Sequence, residues 1–469
     1  MSDYLLTAKK AKAKTALKSF KSGIDFFTDE ATASLATAKD CYNFDFSSGA
    51  LTEGYGISDF GLFQGLSLSA IWLYKRYDQS LNERDDRILG VTADGKLYQS
   101  RDDMVTRVGS VVFTQVPSFI NYRLNGEDVV FICSASDGMF VYDGKSEPYK
   151  VDSAPNITSM VLHGERLFVT VAGERNAVWF SDDLDPTNWD ASLTGGGFIQ
   201  MMDERGALNK VISYLNYVYV FRSYGISRIS ALGSQSDFSV SNLFVAGGKI
   251  YPDTVALCGD TVVFLAEDGL YAFDGLSARR LLKNLDGLVE NGESAIGSYA
   301  SGKYYLAFRR ETDGDKVGVE SGEYENNALL VVELSSGRYA LSRGMDIRNF
   351  CFLGDYGMTA VTNDGRNGKV DKCGSLYGVA LKKRWKIPKT DMGVVEKKLI
   401  KELYLFTEYP CSVTLVGDEK RKTILFDGKN TVQRKRLTFA SRRLGVEIES
   451  SAVKAGISRP TLTTVKGGF

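Results

Sequence analysis

Three carboxylates crowd one short stretch of this 469-residue chain, Val178-Trp179-Phe180-Ser181-Asp182-Asp183-Leu184-Asp185-Pro186-Thr187-Asn188-Trp189. Carboxylates this close together are what a Ca²⁺ site needs, but the D-x-D-x-D-G spacing of a calcium loop is absent. The expected role is a rigid hairpin turn. Asp182, Asp183 and Asp185 cap turn amides, Pro186 presets φ, and Trp179 and Trp189 anchor the turn.

The same stretch approaches the Asp-box of sialidases, S-x-D-x-G-x-T-W. It departs from it twice: Asp185 stands where Gly belongs, and Trp189 comes one place late. Glycoside cleavage needs two carboxylates facing each other across a pocket, and no pair is singled out here. One histidine, His163 in VLHGERL, leaves little for His-ligated zinc, Ser-His-Asp or Cys-His chemistry, and reads as a turn-adjacent structural residue. Gly195-Gly196-Gly197 opens no helix and reads as a turn rather than a phosphate cradle. No catalytic residue, cofactor or metal is assigned. The six cysteines (Cys41, Cys133, Cys258, Cys351, Cys373, Cys411) are scattered without a CxxC pair. They read as free buried thiols of a reducing compartment. No signal peptide opens the chain, and no apolar run is long enough to span a membrane.

Charge is the remaining chemical signal. The net charge is −1, but residues 1–21 carry six lysines against one acid, and residues 382–443 carry 17 Lys or Arg against seven acids. With residues 444–469 at +1, residues 22–381 stand at −17. The cations cluster at Arg384-Trp385-Lys386, Lys420-Arg421-Lys422, Arg434-Lys435-Arg436 and Arg442-Arg443, interleaved with apolar strand residues. Phosphate contact with nucleic acid needs such cations. Docking on the acidic body of the same or a neighbouring subunit is the preferred reading. Arg384, Lys386, Arg434, Lys435, Arg436, Arg442 and Arg443 are therefore the candidate interaction residues.

The elements that would hold these residues are strands. Asp94-Gly95, Asp137-Gly138 and Asp268-Gly269 punctuate the chain at multiples of about 43 to 45 residues, each beside a β-rich run. SASDGMFVYDG and LAEDGLYAFDG are near copies. Ser181-Asp182-Asp183 and Tyr224-Gly225 occupy the two steps between them. One tight hairpin per period of this size marks a β-propeller of four-stranded blades, about seven, with six or eight as the alternatives. Gly95, Gly138 and Gly269 are expected at positive φ, in equivalent hairpins. Gly337 and Gly365 look like two further hairpins, and Glu311–Asn327 looks like an inserted loop. The divisions expected are a basic N-terminal arm (1–34), an all-β propeller (35–381), a small separate antiparallel β-sandwich (382–455) and a flexible tail (456–469). Asn43-Phe44-Asp45-Phe46 is the expected closing strand of the last blade.

Three segments resemble the β-propeller structural proteins of tailed bacteriophages, above all the tail-hub or nozzle proteins of short-tailed phages. They are Ala38–Phe46 with Gly49-Ala50-Leu51 and Gly54-Tyr55-Gly56-Ile57, Val178–Ser181 with Asp185-Pro186 and Trp189, and Arg384-Trp385-Lys386 through Asp391-Met392-Gly393 and Lys397-Lys398. The resemblance implies a non-enzymatic virion protein made in the host cytoplasm. It implies assembly in a ring near the DNA path, with six copies as the candidate number, against portal, adaptor or tail proteins and with DNA passing through a lumen. A carbohydrate-binding or carbohydrate-cleaving propeller and a general protein-interaction propeller are the alternatives.

Overall fold

The computed structural model describes residues 12–16, 20–26, 36–79, 82–102, 104–190, 195–202, 205–233, 235–310, 325–393 and 395–466. Among them, six four-stranded antiparallel sheets follow one another in the chain, over residues 68–112, 118–150, 157–200, 208–245, 256–281 and 291–343. In each, the strands pair in sequence order, the inner strand first. A seventh, six-stranded sheet takes Ile347–Phe352, Met358–Thr362 and Asn367–Asp371 from late in the chain, Gly56–Ser58 from near its start, and beyond that the short strands Ser375–Leu376 and Val379–Ala380. The chain is a seven-bladed β-propeller.

Gly56–Ser58 closes the ring, with Ile57 opposite Val370. The expected closing strand, Asn43–Phe46, lies elsewhere. Asn43, Phe44, Asp45 and Phe46 are all buried. Phe44–Asp45 pairs instead with Leu51–Glu53. Asn43 stitches across a junction: its side chain donates to the Lys382 carbonyl (2.7 Å) and accepts from the Arg343 amide (2.8 Å).

The three Asp-Gly pairs occupy the same place, the hairpin between the second and third strands of blades 1, 2 and 5. Their glycines have φ of +80°, +95° and +145°. At Gly95 a Cβ would also stand 2.0 Å from the Phe113 carbonyl oxygen. A hydroxyl holds each turn aspartate: Thr92 on Asp94 (2.5 Å), Ser134 on Asp137 (2.7 Å) and Tyr271 on Asp268 (2.5 Å). Tyr224-Gly225 and Asp364-Gly365 fill the equivalent hairpins of blades 4 and 7, and Gly337 turns between the third and outer strands of blade 6. Ser181–Asp183 does not belong to this series. It follows the third strand of blade 3 (Ala177–Phe180), and the equivalent turn there carries Gly173. The expected insertion at Glu311–Asn327 falls mostly on residues 311–324, outside the described residues. Its base is clamped by Asn327, which accepts from the Arg310 amide and donates to the Arg310 carbonyl.

The sandwich is larger than expected and is not separate. One sheet runs Asp40–Tyr42, Lys383–Thr390, Leu444–Ser450, Cys411–Val416, Arg421–Phe426. The other runs Phe44–Asp45, Leu51–Glu53, Gly456–Lys466, Lys398–Thr407, Thr431–Ser441, and Lys12–Ala16 adds to Gly456–Lys466. Two expectations are therefore corrected. The supposed flexible tail is an eleven-residue strand that pairs with Lys398–Thr407. Its polar look hides β-branched threonines, and Thr463 and Thr464 are buried. The basic arm supplies a strand and a buried Phe20. Phe20 and Phe46 both meet the fully buried Trp385 edge-on, at 5.1 and 5.5 Å between ring centres. One apolar cluster runs from Val263 and Leu330 of blades 5 and 6 through Leu341 and Phe44 to Leu403 and Ile448 of the two sandwich sheets. Burying a tryptophan and two phenylalanines at this junction makes the propeller and sandwich one body, because each ring withdraws roughly 150–250 Å² from water.

Candidate interaction surfaces

The carboxylate-rich turn of blade 3 holds itself together. Asp182 accepts from the Asn188 side chain (3.1 Å) and the Asp183 amide (2.7 Å), and Asp185 accepts from the Thr187 amide (3.0 Å) and hydroxyl (2.5 Å). Asp183 lies 3.9 Å from Arg166. Trp179 donates to Glu174 (2.7 Å), and Trp189 is buried between blades 2 and 3. Carboxylates engaged in this way shape a turn; they do not converge on a ligand. Among the described residues, no group of three or more His, Cys, Asp or Glu converges as a metal site. His163 ends the inner strand of blade 3, and its Nδ1 lies 2.8 Å from the Ser213 hydroxyl of blade 4. Burial pushes its pKa down. All six cysteines are free thiols, and five are buried.

The basic candidates separate into three groups. Arg384 and Lys386 lie on a central strand of the first sandwich sheet, opposite Glu449 and Glu447 in register. The Arg384 guanidinium is 3.7 Å from Glu447 and 3.8 Å from Glu449, with its side chain only 14% exposed. Burial works against its charge, but Tyr42 and Glu447 hold its pKa above the ordinary value. This cation is committed to its own sheet. Arg442 and Arg443 form an exposed turn, their amides held by Asp418.

Arg434, Lys435 and Arg436 lie on Thr431–Ser441, the last strand of the second sheet, while Arg421–Phe426 is the last strand of the first. These two edge strands flank the same end of the sandwich, because Arg421–Phe426 and Thr431–Ser441 contact each other. Arg434 pairs with Glu402, and Arg421 pairs with Glu447 at 2.5 Å. Lys435 sits over the Phe426 ring, 5.7 Å from its centre. Lys420, Lys422, Lys429 and Arg436 are exposed beside the exposed apolar Leu425 and Val432. The flank is thus a cationic surface with apolar patches, bordered by two open strand edges. The sequence offered its lysines and arginines; the accompanying Leu425 and Val432 were hidden because strand alternation alone does not tell an edge from a core.

A polar cavity of about 190 Å³ lies where the outer strand of blade 6 meets the sandwich, lined by Asp45, Tyr55, Lys303, Glu333, Arg338 and Lys372 among others. Lys303 and Lys372 each lie 5.7 Å from the centre of the Tyr55 ring. Burial pushes the Asp45 carboxyl up, but its bonds to Lys372 and the Ser47 amide outweigh that and hold it below the usual carboxylate range. Glu333 pairs with Arg338 at 3.0 Å. No local pattern marks this group, whose members are separated by up to several hundred residues.

No protein-family model matches the chain, and no curated protein matches it. Among solved structures it is similar to the computationally designed Ika8 protein, at 12% identity and a TM-score of 0.40, over 67% of this chain and 99% of that one. It is similar to BBS1N, solved in complex with ARL6DN, at 12% identity and 0.40, over 70% and 98%. It is also similar to the RRP9 WD40 repeats, at 8% identity and 0.39, over 69% and 92%. Identities this low leave the functions of those proteins with those proteins. The blades themselves establish the propeller. Among the described residues, no helix is long and apolar enough to cross a membrane.

Proposed function

We propose that this protein is a non-enzymatic interaction propeller whose sandwich docks neighbouring protein subunits. In its finer form the proposal is a virion component of a tailed bacteriophage, akin to a tail-hub or nozzle protein, assembled as a ring. The observation that carries it is the cationic flank on Arg421–Phe426 and Thr431–Ser441, attached to a body whose residues 22–381 sum to −17. Opposite charges on two surfaces of one chain favour encounter and register between copies more than raw affinity. The rigid junction at Trp385 supports the same reading, since a ring component must hold its docking surface at a fixed angle.

The test is Lys420→Glu, Lys422→Glu and Arg436→Glu in one chain; Arg421 is spared because it pairs with the buried Glu447. Arg434 and Lys435 are spared because they pack on Glu402 and Phe426. Light scattering is measured across ionic strength, alongside a duplex-DNA titration. The proposal expects a wild-type oligomer that weakens with salt and a triple variant that fails to assemble. Normal assembly with lost DNA binding would transfer the flank to nucleic acid. Normal assembly with unchanged DNA binding would reduce it to a solvated face.

A further inference from the structure

The turns of blades 3 to 5 break a local preference. Successive strands of a blade run antiparallel, so the turns after the first and third strands emerge on one face of the disc. Turn tips ordinarily take Gly, Asn, Asp or Ser. On this face four leucines stand in such turns. Leu184 lies after the third strand of blade 3, Leu215 after the first strand of blade 4, Leu232 after its third strand, and Leu276 after the third strand of blade 5. They are 63%, 58%, 61% and 67% exposed. Leucines that stand mostly in water add little to the stability of their own chain. The turns also touch one another. The Gln235 side chain of blade 4 donates to the Gly195 carbonyl of blade 3 (2.6 Å), which links the connections that carry Leu232 and Leu184. A Cβ on Gly275 would lie 3.1 Å from Leu215, so Leu215 borders the turn that carries Leu276.

The same turns are acidic. Glu165, Asp183, Asp190, Asp237, Asp260 and Asp274 are exposed in them, and among the described residues these turns hold no Lys or Arg. Hydrogen bonds from turn amides, as at Asp274, leave a carboxylate its charge. Arg166 and Arg279 on the adjoining strand ends offset only part of it. The opposite face of the same blades mixes the signs, with Arg175, Arg205 and Lys249 in its turns beside Glu174 and Glu267.

We propose that this acidic, leucine-bearing face receives the cationic flank of a second copy of the chain. The inference rests on the docking role already proposed for the flank, and names the surface that the flank meets. The two surfaces match in kind. One sets exposed Leu425 and Val432 among Lys420, Lys422 and Arg436; the other sets exposed leucines among carboxylates. The apolar side chains contribute affinity by leaving water, and the opposed charges govern encounter and register. A contact of flank to face joins two different surfaces, so it repeats from copy to copy and closes into a ring where the rotation allows.

The test mixes two variants of the full chain and follows molar mass by light scattering. The flank variant is Lys420→Glu, Lys422→Glu and Arg436→Glu; the face variant is Glu165→Lys and Asp260→Lys. Neither should assemble alone. Together they should give a one-to-one pair that weakens with salt, because the flank variant keeps its acidic face and the face variant keeps its cationic flank. Leu215→Asn separates interface from fold. Leu215 has a φ of +47°, which Asn adopts more readily, so the melting temperature should hold or rise. Assembly should weaken at least about tenfold, the effect of one leucine left in water. A monomeric wild type would overturn this inference together with the docking role of the flank. If the flank variant is monomeric while the face variant and Leu215→Asn assemble like wild type, the docking role stands and this face is rejected as the acceptor. A mixture that yields no pair rejects it as well.

Discussion

Lys383 allows a sharp test of how the propeller is joined to the sandwich. It is fully buried at the start of the first sandwich strand after the propeller. Its ammonium donates to the carbonyls of Ala452 (2.6 Å), Leu381 (3.2 Å) and Gly374 (3.5 Å), tying the end of blade 7 to the sandwich. Burial pulls its pKa down to about 8 from 10.5, against an opposing pull from Glu53. A lysine with a depressed native pKa binds fewer protons folded than unfolded between those two values, so stability rises with pH across that window. Below about pH 8 the full cost of the buried charge is present, and above about 10.5 it is gone. A shift of that size corresponds to about 3 kcal/mol at 1.36 kcal/mol per unit. Lys383→Met removes the titration along with the hydrogen bonds. The deficit of the variant relative to wild type should therefore be smallest near neutrality and grow by about 3 kcal/mol by pH 10.5. With an unfolding entropy of roughly 2 cal/mol/K per residue, that is a widening of about 3 °C in the gap between melting temperatures. Scanning fluorimetry on both proteins at neutral and alkaline pH reads it, and every other titrating group cancels in the difference. A gap that stays constant or narrows with pH would refute the assignment of a charged, desolvated lysine at this junction.

Three further outcomes are expected. Gly95→Ala should cost about 1–3 kcal/mol more than Gly302→Ala: both sit at φ near +80°, but only Gly95 would drive a Cβ into a neighbouring carbonyl, and thermal melts compare them. Trp385→Ala should cost about 3–5 kcal/mol and expose the sandwich junction to limited proteolysis before the blades are cut, since it removes the ring on which Phe20 and Phe46 close. Burial lowers the pKa of His163, so its contribution is complete above the unfolded value of about 6.5 and is lost as pH falls through the lower native value. His163→Gln should flatten the acid limb of the melting-temperature profile, and an unchanged limb would remove His163 from the account.

Sequence alone determined the repeating part of this protein. A tight hairpin needs φ > 0, glycine supplies it at little cost, and a preceding aspartate binds the turn, so Gly95, Gly138 and Gly269 marked equivalent places in three blades. The lone histidine and the carboxylates of residues 182–185 were legible as structure for a similar reason: their partners lie close by in the chain or on the adjoining blade. The rest depends on pairing between distant residues. Gly56–Ser58 and Asn43–Phe46 are both short β-compatible segments, and their partners decide between them: Ile57 meets Val370 of blade 7, whereas Phe44–Asp45 meets Leu51–Glu53 of the sandwich. The strand Gly456–Lys466 looked like a polar tail because its partner, Lys398–Thr407, comes more than 50 residues earlier. The cations divided in the same way: Arg384 and Arg436 are alike in sequence, but Arg384 faces Glu447 and Glu449 across a central strand while Arg436 lies on an edge strand.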